Sequence, residues 1–66
     1  MITFAEIYRR LEEIEAIRHD DESAHALEDR LRDDVLAAIA EGADHAGDLA
    51  ALVRTSHAIH FARWCA

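Results

Sequence analysis

The sequence predicts an all-α protein: a small three-helix domain followed by a short C-terminal helical turn. Three observations carry that expectation. The 66 residues contain no proline and only two glycines, so little interrupts a helical backbone. Apolar residues recur at three- and four-residue spacing in long stretches. Two short polar segments divide the chain, and each carries residues suited to helix ends.

The first helix is expected over about residues 4–18. Thr3-Phe4-Ala5-Glu6 reads as a capping box, in which the Thr3 hydroxyl accepts from the Glu6 amide and the Glu6 side chain reaches back to Thr3. Ile2 and Ile7 bracket it as a hydrophobic staple. Phe4, Ile7, Leu11, Ile14 and Ile17 then form one stripe with Tyr8 alongside, while Arg9, Arg10, Glu12, Glu13 and Glu15 fall mostly off it.

The polar segment Arg18–Ser23 is the first boundary, and Asp20 or Asp21 is suited to cap the second helix. That helix is expected to run to about Glu41. Its stripe is Ala24, Leu27, Leu31, Val35, Ala38 and Ile39, widened by Leu36. Glu28 with Arg32, and Arg30 with Asp34, are i,i+4 pairs of opposite charge. Gly42 is the natural stop. Asp44 or Asp48 would cap a third helix carrying Leu49, Leu52 and Val53 and ending near Thr55-Ser56. The remaining tail reads as an extended link followed by one helical turn, or else as a continuation of the third helix.

A chain this short is one domain and buries only roughly 60% of the surface its unfolded form exposes. Such domains usually need disulfides, a metal or a partner subunit. Cys65 is the only cysteine, which excludes an internal disulfide and makes a homo-oligomer, specifically a homodimer, the expectation. The net charge of −7, with seven arginines interleaved among fourteen acids, argues against direct nucleic-acid binding and against adhesion to an anionic membrane. Protonating the five histidines would move the charge from −7 to −2, so association can respond to pH between about 5 and 7. No apolar run approaches the ~18 residues that span a bilayer. The N-terminus does not read as a signal peptide. A single unpaired cysteine points to a reducing cytoplasm.

Three segments together carry a resemblance: Ala24-His25-Ala26-Leu27-Glu28-Asp29, Asp34-Val35-Leu36-Ala37-Ala38-Ile39-Ala40, and the terminal Phe61-Ala62-Arg63-Trp64-Cys65-Ala66. Over about residues 20–66 the chain resembles small uncharacterised α-helical proteins of bacteria and their phages. These carry a His-x-x-Glu-Asp helix and end in Phe-x-Arg-Trp-Cys-Ala. The resemblance implies a bacterial or phage context, and a natural chain running from Met1 to Ala66. It implies no mechanism.

Two constellations bear on function. His25 and Asp29 share a helical face with Asp21 and Asp33, and Glu28 lies three residues beyond His25. His25, Glu28 and Asp29 could hold a divalent metal, completed by His57, His60 or a second chain. His25 and Asp29 could equally form an acid–base pair in which Asp29 orients the imidazole, or a solvated pair on an exposed acidic face. His57 and His60, three apart, could bind a transition metal or instead cap or hydrogen-bond neighbouring helix ends, and His19 and His45 fall in turns. The second constellation is Phe61, Arg63 and Trp64. It is either a partner-binding motif or a segment that folds back to close the core, with Arg63 paired to an acid of the first or second helix. No catalytic residue is assigned, because nothing near Cys65 supplies the base that a nucleophile needs. No cofactor beyond the metal option is implied. The leading function is therefore a non-enzymatic interaction module, a regulator or inhibitor that binds a partner protein. The alternatives are a metal- or ligand-binding helical module and an acidic nucleic-acid mimic.

Overall fold

A computed structural model gives the fold, and it describes residues 1–63; Trp64, Cys65 and Ala66 lie outside the described residues. Three helices follow in order: α1 (Phe4–Ala16), α2 (Asp21–Ala40) and α3 (Ala46–Arg54). A 3-10 turn, Thr55–Ala58, continues directly from α3. The three helices all pack against one another. No described helix is long and apolar enough to cross a membrane.

Each helix end has a local cause. Thr3 Oγ1 accepts from the Glu6 amide at 3.1 Å, but the return half of the capping box is not made. The Glu6 carboxylate accepts from Arg9 instead, which holds it below the usual carboxylate range. α1 stops two residues short of the expected end. There Ile17 and Arg18 turn their amides to carbonyls three residues back, at 3.2 and 3.3 Å, and the last turn tightens. Asp20 caps α2, accepting from the Ser23 amide at 3.2 Å and the Ser23 hydroxyl at 2.9 Å.

α2 ends as the sequence predicts. Gly42 stands at φ +92°, its amide donates to the Ile39 carbonyl, and the Ala43 amide donates to that of Ala38, each at 3.0 Å. This pair of bonds is the Schellman arrangement, which requires a left-handed residue where glycine carries no Cβ penalty. The start of α3 differs from expectation. Neither Asp44 nor Asp48 caps it; His45 takes the cap position in a left-handed conformation, φ 60°, with no side-chain cap bond. Asp48 sits in the first turn, where it suits the helix dipole.

The core is Ile7 and Ile14 from α1, Ala24, Leu31 and Val35 from α2, Leu49 and Val53 from α3, and Ile59 beyond the turn. Ile2, Leu11, Ile17, Leu27, Ile39 and Leu52 pack around it, half-buried. Three residues assigned to the stripes instead face outward. Phe4 lies against His45 with ring centroids 6.4 Å apart, Tyr8 is 58% exposed, and Leu36 is 63% exposed. Asp34 pairs with Arg10 of α1 at 2.7 Å rather than with Arg30, so a charge pair expected within one helix instead ties two helices together. The tail follows the second of the two expectations as far as Ala58, since the helical turn continues α3 directly; the backbone becomes extended at Ile59.

Candidate functional site

A cluster of hydrogen-bonded polar side chains joins α2 to the tail. Glu28 lies on the inward face of α2 between Ala24 and Leu31, and it is 4% exposed. A carboxylate cannot stay there unpaired, because its desolvation is too costly. Arg63 supplies the partner. Its Nε donates to Glu28 Oε1 at 2.8 Å and its Nη2 to Oε2 at 3.0 Å, the two-pronged geometry that a planar guanidinium favours. Nη2 also donates to the carbonyls of Ser56 and Ile59, each at 3.0 Å. The guanidinium carbon stands 3.8 Å from the centroid of the Phe61 ring, close enough for a cation–π contact. One residue earlier, the Ala62 amide donates to Asp21 Oδ1 at 3.1 Å. The tail is thus fastened to α2 at two points.

Burial pushes the Glu28 carboxyl up, but Arg63, the Ser56 hydroxyl and Arg32 together outweigh it, so the group ends below its ordinary 4.5. The bonds to Glu28 push Arg63 further up from its already high value. Ser56 is fully buried and its hydroxyl accepts from Arg32 Nη2 at 2.8 Å. Arg32 Nη2 lies only 3.9 Å from Glu28, and the Arg32 Nε is buried with no hydrogen-bond partner among the described residues.

The three residues read as a metal set do not converge. His25 Nδ1 lies 3.2 Å from Asp29 Oδ2, so that pair forms. Glu28, however, turns inward to Arg63. Among the described residues no group of three histidine, cysteine or acidic side chains comes together to hold an ion. Of the terminal motif, Arg63 is committed to Glu28 and Phe61 packs half-buried against the core. Trp64, the third residue assigned to partner binding, lies outside the described residues.

Two grooves were not singled out by the sequence. One lies between α2 and α3, floored by Val35, Ile39, Ala50 and Val53, with Leu36 exposed in it and Arg32 and Arg54 lining it. The other lies between α1 and the 3-10 turn, with Tyr8, Leu11 and Ile59 on its apolar side and Glu12 and Glu15 also lining it. The signal for Leu36 was its spacing. It follows Val35 by one residue, about 100° around the helix, and so leaves the buried stripe.

No protein-family model, curated protein or solved structure matches this chain.

Proposed function

We propose that this protein is a non-enzymatic interaction module, a small regulator or inhibitor that acts by binding another protein. The observation that carries this reading is the α2/α3 groove. Leu36 is 63% exposed and continuous with an apolar floor of Val35, Ile39, Ala50 and Val53, with Arg32 and Arg54 also lining the groove, and a contiguous apolar patch flanked by polar residues is the kind of surface that binding buries. Phe61 and Arg63 serve in holding the tail, so the binding surface moves from the C-terminal motif to Leu36. The resemblance to small bacterial and phage proteins supports a bacterial partner, and the single cysteine supports a cytoplasmic setting. Self-association belongs to the same reading, because so small a core gains from covering an apolar groove.

The test is affinity capture from a bacterial lysate with the wild-type chain and Leu36→Asp side by side. The captured protein is then purified and titrated against both chains by calorimetry. A partner bound by the wild type and lost by a variant of unchanged helicity supports the reading. If every captured protein binds both chains equally, the groove is not the binding surface and the proposal fails.

A further inference from the structure

The two grooves are complementary to each other. Four of the arginines are engaged in close ion pairs: Arg9 with Glu6, Arg10 with Asp34, Arg18 with Glu15, and Arg63 with Glu28. Arg54, at the α2/α3 groove, has no ion-pair partner within 4.0 Å among the described residues, and Arg32 beside it approaches Glu28 only to 3.9 Å. In a chain of net charge −7 this groove is a locally cationic place. The α1 groove has the opposite character. Glu12, Glu15 and Arg18 line it; Arg18 is paired with Glu15, so Glu12 is left with no ion-pair partner among the described residues, and Tyr8, 58% exposed, lines it as well. The two grooves share no lining residue, so one molecule can use both at once.

We propose that the occupant of the α2/α3 groove is a second copy of this chain, docked head to tail. Tyr8 of one copy lies against Leu36 of the next, and Glu12 of the first meets Arg54 of the second. The inference rests on the reading of the Leu36 groove as a binding surface. A two-fold dimer through the Leu36 groove would bring two copies of this arginine-lined surface, with Arg32 and Arg54 from each, into one interface, like charges that disfavour each other. The head-to-tail contact sets opposite charges together and leaves a free groove at each end of the assembly. It therefore extends to short chains unless the rotation between copies closes a ring.

Because the contact uses two different surfaces, it can be broken from either side and rebuilt by mixing. Leu36→Asp spoils one groove and Tyr8→Asp the other, and both positions are exposed, so each variant keeps its helicity by circular dichroism. In sedimentation velocity at several hundred micromolar, the wild type is expected to form species larger than a dimer. Each variant alone is expected to be monomeric, with association weakened at least about tenfold. An equimolar mixture of the two is expected to form a one-to-one dimer, because each retains the groove the other has lost. Arg54→Glu should weaken wild-type association, and mixing it with Glu12→Arg should restore association beyond a dimer, because every contact between alternating copies then pairs opposite charges. A monomeric wild type overturns self-docking, as does a mixture that stays monomeric or association that only one of the two Asp variants disturbs. A monomeric wild type whose captured partner still depends on Leu36 overturns this inference alone and leaves the interaction module standing. Loss of any Leu36-dependent partner with self-association intact does the reverse.

Discussion

Glu28 and Arg63 stand thirty-five residues apart in the chain and meet through two hydrogen bonds of 2.8 and 3.0 Å. Glu28 sits on the buried face of α2, and Arg63 lies on the segment beyond the 3-10 turn. An acid on the buried face of α2 needs a cation, and the cation arrives from the tail.

Removing either partner leaves the other without its counter-charge. Loss of one member of a buried pair typically costs about 3–5 kcal/mol, and the half-exposed Arg63 places this case at the lower end. Arg63→Ala and Glu28→Ala are each expected to lower the Tm by roughly 10 °C or more, read by circular dichroism. Replacing both at once, as Glu28→Leu with Arg63→Leu, should cost far less than the two single changes added together, because no unpaired charge remains.

The same pair sets an acid limit. The Glu28 carboxyl is held below its ordinary 4.5 in the folded chain. A depressed folded value means that the unfolded state binds the proton first. The stability from this pair is therefore present above about pH 4.5 and lost as pH falls through the lower folded value. Urea midpoints measured from pH 7 downward should fall in that acid range for the wild type. In the Glu28→Leu, Arg63→Leu double variant the fall should be shallower.

The helices were legible in the sequence because their signals are local. Thr3, Asp20 and Gly42 each act on backbone within a few residues, and each sits where its chemistry suggested. The start of α3 was less legible, since His45 is not a residue that favours the left-handed region as glycine does. Glu28 was visible in principle: Ala24, Leu31, Val35 and Ala38 repeat at helix spacing, and position 28 completes that seam with a charge. A charge in an apolar seam signals a buried partner, but only the fold identifies it as Arg63. The grooves were not legible, because they are made by pairs of elements far apart in sequence.

Gly42 offers a clean test of the α2 terminus. Its φ of +92° is a conformation that L side chains rarely adopt, and a Cβ there would meet nothing within 4 Å. The cost of Gly42→Ala is thus backbone strain alone, on the order of 1–2 kcal/mol. Thermal unfolding should show a Tm lower by roughly 5–10 °C with unchanged helicity at 10 °C.

The metal reading gives a calorimetric prediction. His25 and Asp29 supply two ligands, and Glu28 is committed to Arg63. A closed zinc site takes four. Titration with zinc, manganese or nickel is expected to show no stoichiometric binding at micromolar concentration. Stoichiometric binding that His25→Ala abolishes would instead establish the metal module.

The last prediction concerns the tail as a whole. Chain ends usually fray unless something ties them down, and this one is tied at Asp21 through the Ala62 amide and at Glu28 through Arg63. Ile59, 8% exposed, belongs to the core just before those anchors. Deleting residues 61–66 therefore leaves Glu28 buried without its cation, removes the half-buried Phe61, and loosens the segment that seats Ile59. For a domain whose total stability is on the order of 5 kcal/mol, those losses together approach complete unfolding. The truncated chain should show strongly reduced helicity at 25 °C, and Glu28→Leu in the truncated background should recover part of it by removing the stranded charge. A truncated chain with unchanged helicity and Tm would mean that the tail contributes nothing to the fold. Phe61, Arg63 and Trp64 would then be better read as a recognition motif, and the binding surface would return to the C-terminus.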